Sequence, residues 1–113
     1  MKHLVVTAAP VHDCRDPVVL DPVRKQVDPA SLRWMLNPPD MIALEQALRL
    51  RDRIPGTRIR VVSIAPPAAE SVLRECLAVG ADEVERVWGE GIEGADPHGV
   101  ASILAAAVRR LPF

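Results

Sequence analysis

Three short stretches of the 113-residue chain combine residue types able to do chemistry. His12-Asp13-Cys14 places an imidazole, a carboxylate and a thiol in a row, the types from which metal sites and activated nucleophiles are built. Consecutive residues seldom converge on one ion, and no second group stands at ligand spacing, so a structural role is expected for the triplet. Glu83 and Glu85 fall on one side of a strand, where they read as a solvated face rather than a general acid and base. Asn37-Pro38-Pro39-Asp40 opens a helix. A helix N-terminus presents amides to an anion, and Asn or Asp side chains can address a ribose or an adenine edge. On physics alone a plainly capped helix weighs more than a ligand site at those four residues. No G-x-G-x-x-G and no G-x-x-x-x-G-K-[ST] occurs, so neither the dinucleotide fingerprint nor the P-loop supports phosphate binding. His3 and His98 have no recognisable acid or base partner, and no catalytic constellation emerges.

These residues must be positioned by elements that the apolar pattern makes legible. The run from His3 to Ala8 predicts a first buried strand. From Val11 to Leu36 the pairs Asp16-Pro17, Asp21-Pro22 and Asp28-Pro29 block a continuous helix. Val18-Val19-Leu20 and Leu32-Arg33-Trp34-Met35 are expected to be short strands of an antiparallel ribbon outside the main sheet. Asn37, as a cap, and Pro38, at the first helical position, start a helix to about Arg53, with Met41, Leu44, Ala47 and Leu48 on its inner face. Arg58 to Ser63 reads as a second strand. A helix from about Pro67 to Val79 follows, with Val72, Leu73, Cys76 and Leu77 inward and Gly80 as its stop. Asp82 to Val87 is the third strand, and Asp96-Pro97 opens a last helix reaching about Arg110.

Strands alternating with amphipathic helices predict an α/β fold with a parallel sheet and right-handed crossovers. Ligands of such sheets bind beyond the carboxyl ends of the strands, here Val6 to Pro10, Ser63 to Pro67 and Trp88 to Gly91.

Composition narrows the function classes. Apolar residues make up 49% and charged residues 26%, which predicts a packed core in one domain over residues 1–113. Fourteen Lys and Arg against 15 Asp and Glu leave no basic excess to draw nucleic acid. No apolar run approaches the ~20 residues of a membrane span and no signal-peptide core follows Met1, so the expected compartment is the cytoplasm. Cys14 and Cys76 stand far apart without CxxC spacing and are expected to be reduced thiols.

The stretch Asn37-Pro38-Pro39-Asp40-Met41-Ile42-Ala43-Leu44-Glu45-Gln46-Ala47-Leu48-Arg49-Leu50-Arg51 resembles the N-P-x-[DC]-x-x-A-[LV]-E-x-A-[LV]-R-L-[KR] helix of the electron transfer flavoprotein β subunit family. Val61 to Glu83, through Ala65-Pro66, Glu70, Leu73-Arg74 and Leu77-Ala78-Val79-Gly80-Ala81-Asp82, is similar to the same family's G-P-x-x-x-E-x-x-L-R-x-x-L-A-M-G-A-D segment. Gly94-Ala95-Asp96 looks like its next helix start. The two motifs stand in the family's order and spacing, and the resemblance covers nearly the whole chain.

The resemblance implies a three-layer parallel sheet of the adenine-nucleotide α-hydrolase-like class. It also implies an electron carrier rather than an enzyme: a β-type subunit that binds AMP or FAD together with an α subunit and relays electrons from flavin dehydrogenases. Cofactor contacts would fall at Val6, at Asn37, Pro38, Pro39 and Asp40, and at Ile64, with no metal.

The chain also departs from the family. Ala8-Ala9-Pro10 stands where a Lys or Arg is usual, and the family's next strand and its acidic D-G-D-T-x-Q-V loop do not follow Leu111-Pro112-Phe113. The expectation is a domain lacking its last strands, with the edge of His3 to Thr7 paired by a segment of another chain or of a second copy. The alternative is a cofactor-less split or truncated scaffold that mediates protein contacts. A stand-alone nucleotide sensor resembling universal stress proteins would need a glycine loop before the last helix, for which Gly89-x-Gly91 is a weak match.

Overall fold

Strand β6, Thr57–Ile64, is the spine of the molecule, because it is hydrogen-bonded on both sides and Val61, Val62 and Ser63 are buried in succession. A strand covered on both faces reads as a continuous apolar run rather than an alternating one. The computed structural model describes residues 1–113. Parallel to β6 lie β1, Lys2–Thr7, on one side and β7, Glu83–Val87, on the other, in the order β1-β6-β7. Val6 is registered with Val61 and Val84 with Val61, so one apolar row crosses the sheet.

Helix α1, Pro38–Arg53, crosses from β1 to β6, and helix α2, Glu70–Val79, crosses from β6 to β7. Leu44 and Ala47 of α1 and Val72 and Cys76 of α2 meet Ile59 and Val61 in the main core. Helix α3, Pro97–Val108, also packs on β6, and its Val100 and Leu104 share a cleft with Ile64. Ile64 has the opposite parity to Ile59 and Val61, so α3 covers the other face of the strand. The expected parallel α/β architecture is therefore present, with helices on both faces. Leu77, expected to face inward on α2, is instead 46% exposed, because it overhangs the β7 side of the sheet beside Val84 and Arg86. The first turn of the expected second helix, Pro67–Ala69, is a separate 3-10 turn before α2 begins. No helix is long and apolar enough to cross a membrane.

The excursion between β1 and α1 is two nested antiparallel pairs rather than one ribbon. Strand β2, Pro10–His12, pairs with β5, Trp34–Leu36, while β3, Leu20–Asp21, pairs with β4, Gln26–Val27. Val18 and Val19, expected in a strand, lie just outside β3, and Leu32 and Arg33 lie outside β5. The Asp-Pro pairs explain this division. Asp28 caps the 3-10 turn Pro29–Ser31 by accepting from the Ala30 N–H at 3.0 Å. Asp21 accepts from the Val23 and Arg24 N–H groups, closing the turn between β3 and β4. The Asp21 and Asp28 carboxylates are thus spent on local turns, which leaves only short stretches free to pair.

Asp82, expected to begin the third strand, instead acts as a tie between helix and sheet. Its Oδ2 accepts from the backbone N–H of fully buried Ile59 at 2.7 Å, and its own N–H donates to the Ile59 carbonyl at 2.9 Å. Arg51 Nη1 reaches the same carboxylate at 3.5 Å and the Gly80 carbonyl at 2.8 Å. Gly80 ends α2 at φ +135°, a backbone conformation that favours glycine, and a Cβ there would also crowd Leu48 Cδ2 at 3.0 Å.

Replacing Asp82 by Ala leaves the Ile59 amide buried without its acceptor. A loss of about 1–3 kcal/mol in urea-unfolding stability is expected. By contrast, the Ser63 hydroxyl has no hydrogen-bond partner and is fully buried. Ser63→Ala is therefore expected to be neutral or stabilising, by up to about 1 kcal/mol in the same measurement.

Candidate functional site

At the carboxyl end of β1 the chain leaves the sheet through Ala8 and Ala9, and at Asn37 it returns to begin α1 beside the same point. Two hydrogen bonds hold the departure and the return together. The Asn37 N–H donates to the Ala9 carbonyl at 2.9 Å, and the Ala9 N–H donates to Asp40 Oδ2 at 2.9 Å. Asn37 Nδ2 donates to the same Asp40 oxygen at 3.3 Å. Next to this clamp, Thr7, Ala8, Ala9 and Ile64 from the strand ends and Asp40 from the first turn of α1 face Val100 and Leu104 of α3 across a cleft of about 240 Å³. It lies at the strand ends where a parallel sheet places its ligands.

Of the six expected contacts, Asp40 and Ile64 line this cleft. Val6 is buried in the main core beside Leu44 and Leu36, so its side chain is committed to packing. Asn37, Pro38 and Pro39 stand next to the cleft without lining it. Nor does Asn37 cap α1 with its side chain, which is turned to Asp40 instead. The amides expected to meet an anion are absent or engaged. Pro38 and Pro39 have no N–H, and those of Asp40 and Met41 both donate to the Asn37 carbonyl, at 3.0 and 3.1 Å. This helix start is therefore an acceptor, through the Asp40 carboxylate, rather than a phosphate cradle. Val100 and Leu104 were readable in the sequence only as apolar positions of a helix, since nothing in that pattern separates a core face from a cleft wall.

The His12, Asp13 and Cys14 side chains form no metal-holding cluster. The His12 ring packs on Trp34 with centroids 4.2 Å apart, and Cys14 is exposed. Asp13 is buried and accepts from Arg15 in a two-pronged pair, at 2.8 Å from Nε and 2.6 Å from Nη2. These bonds, with a further one from the Arg15 amide, hold its carboxyl at a pKa of about 2. Glu83, expected on a solvated face, pairs with Arg58 and Arg60, and the Arg60 hydrogen bonds hold its carboxyl below the usual range. Cys76 lies in the core, where burial pushes its thiol up, and both cysteines are unpaired.

A family model described as the electron transfer flavoprotein domain matches residues 25–113. The chain belongs to the electron transfer flavoprotein domain family. Across 108 residues it is 37% identical to the caffeyl-CoA reductase-Etf complex subunit CarD of Acetobacterium woodii, covering 96% of this chain and 41% of that protein. It is 36% identical over 96 residues to the electron transfer flavoprotein subunit beta of Thermoanaerobacterium thermosaccharolyticum, covering 85% of this chain and 36% of the relative. Protein FixA of Azotobacter vinelandii is 38% identical over 90 residues, covering 80% of this chain and 32% of that protein. The chain thus spans about two-fifths or less of the length of these curated relatives. The electron transfer flavoprotein match takes in β5, α1, β6, α2, β7 and α3, and so includes every cleft residue except those contributed by the end of β1.

The Asp13–Arg15 pair closes the turn that follows β2, and the depressed carboxyl pKa fixes the sign of its pH dependence. Its contribution is fully present above the unfolded value near 3.8 and is lost as pH falls through about 2. The side-chain carboxyl carbon resonance of Asp13 should therefore titrate with a midpoint near 2, whereas an ordinary midpoint near 3.8 would show the pair to be absent.

Proposed function

We propose that this chain is the nucleotide-holding part of an electron transfer flavoprotein β-type subunit. In this reading it binds the adenosine portion of AMP or FAD in the cleft between Asp40, Ile64 and Leu104, and works in the cytoplasm with an α-type subunit. A flavin held by the pair would supply the redox chemistry that carries electrons from flavin dehydrogenases, and this chain's residues would bind and orient it. The carrying observation is the Asp40 carboxylate. Its Oδ2 is held by Ala9 and Asn37, and Oδ1 accepts no hydrogen bond, so an acceptor is fixed at the strand ends next to apolar walls. That acceptor suits the donors of a nucleoside, the ribose hydroxyls or the amino group of an adenine stacked against Ile64, Val100 and Leu104. Family membership and the names of the relatives support the wider reading.

A second reading, the cofactor-less scaffold, is favoured by one feature: no Lys or Arg lines the cleft. On the leading reading the phosphate of AMP must then gain little from this chain. The outer edge of β1, beside a groove lined by Val5, Thr7, Gln46 and Leu50, is where we place the added strand of a partner segment or second copy.

Calorimetric titration separates the readings. AMP and adenosine are expected to bind with affinities within about tenfold of one another, and Asp40→Ala and Leu104→Trp should each weaken both by about tenfold or more. Absence of binding by either ligand, with the protein folded, would leave the scaffold reading.

A further inference from the structure

The chain has two tryptophans and no tyrosine, and both indoles, 54 positions apart in sequence, line one cavity of about 510 Å³. This cavity shares Ile64 with the adenosine cleft but is otherwise built from different parts of the chain. Trp34 comes from β5 and Trp88 from the residue after β7, while Ala68 and Glu93 contribute from the turn before α2 and the loop before α3.

The Trp34 ring is held in place, since it packs against both core clusters and carries the His12 ring on it. Beneath Trp88, the ends of β6 and β7 are joined by the Ala65 N–H donating to the Val87 carbonyl at 3.2 Å and by Arg86 Nη1 donating to the Ala65 carbonyl at 3.2 Å. Neither tryptophan is fully buried, and both line the cavity. Tryptophan faces favour flat π-systems in offset or tilted contact. The polar groups of the lining are the His12 imidazole and the Glu93 carboxylate, which can meet ring N–H and C=O edges. No Lys or Arg is present, so a phosphate would find no countercharge there.

We propose that this cavity is a second binding site, for an uncharged planar heteroaromatic ring without phosphate, held on Trp34 and Trp88 and oriented at its edge by His12 and Glu93. The site does not rest on the adenosine reading, because its polar groups and all its walls but Ile64 are its own.

The test uses lumichrome, a tricyclic phosphate-free ring, and the intrinsic fluorescence of the protein, which comes from the two cavity tryptophans. Lumichrome is expected to quench that emission saturably, and saturating AMP should leave the titration unchanged. Trp88→Leu and Ala68→Phe should each weaken binding roughly tenfold or more, the second by filling the cavity from an exposed turn while both tryptophans remain. Thermal melts of both variants check that the fold is retained. Quenching that rises linearly as it does for free tryptophan, displacement of lumichrome by AMP, or an unaffected Ala68→Phe variant would each overturn the site. Loss of AMP binding with lumichrome binding intact would instead overturn only the adenosine reading.

Discussion

The architecture depends on a clamp between the end of one strand and the start of the helix that follows it. After β1 the chain wanders from Pro10 to Leu36 before it resumes the sheet pattern, and an excursion of that kind must be closed at its ends before the crossover can form. The paired Ala9 and Asn37 backbone groups, with the Asp40 carboxylate on the Ala9 amide, close it. Once closed, α1 is aimed back across β1 and β6, and Leu44 and Ala47 reach the core. The Asp82 tie to Ile59 does the same work at the opposite end of the sheet, joining the stop of α2 to the middle strand. Two carboxylates thus set the register between helices and sheet, and apolar packing fills what they frame.

The clamp also decides what the strand ends can bind. Proline at the first two helical positions fixes the entry of α1 but removes two amides, and the Asn37 carbonyl takes the next two. A helix start that would ordinarily favour anions therefore shows a carboxylate instead. In the proposed reading the adenosine half of a nucleotide occupies this lip, and phosphate recognition falls to groups beyond these cleft residues. The same economy marks the neighbouring cavity, where two indoles, one imidazole and one carboxylate are present without a cation.

Much of this was legible in the sequence because local signals and core pattern agreed. The strand from His3 to Ala8, the Asn-Pro start of α1, the glycine stop at Gly80 and the Asp96 cap of α3 each carried their own chemistry, and Asp96 indeed accepts from the Gly99 N–H at 2.7 Å. The ribbon was less legible. Val18 to Leu20 and Leu32 to Met35 have strand-like composition, but their pairing depends on Asp21 and Asp28 turning the chain locally, which composition does not rank. The cleft was legible as a location and not as a residue set. Asp40 and Ile64 line the cleft, whereas the Val6 side chain packs in the core and that of Asn37 is turned to Asp40. The gathering of Trp34 and Trp88 into one cavity is a product of tertiary structure alone.

The central claim is that a nucleoside sits between the clamp and α3. It is tested most directly by mapping backbone and methyl resonance changes as AMP is added to isotope-labelled protein. The account predicts the largest changes at Ala8, Ala9, Asp40, Ile64 and Leu104, with those at the amino ends of the strands, such as His3, Arg58 and Glu83, unmoved. Changes centred on those amino ends, with Asp40 and Leu104 silent, would contradict it.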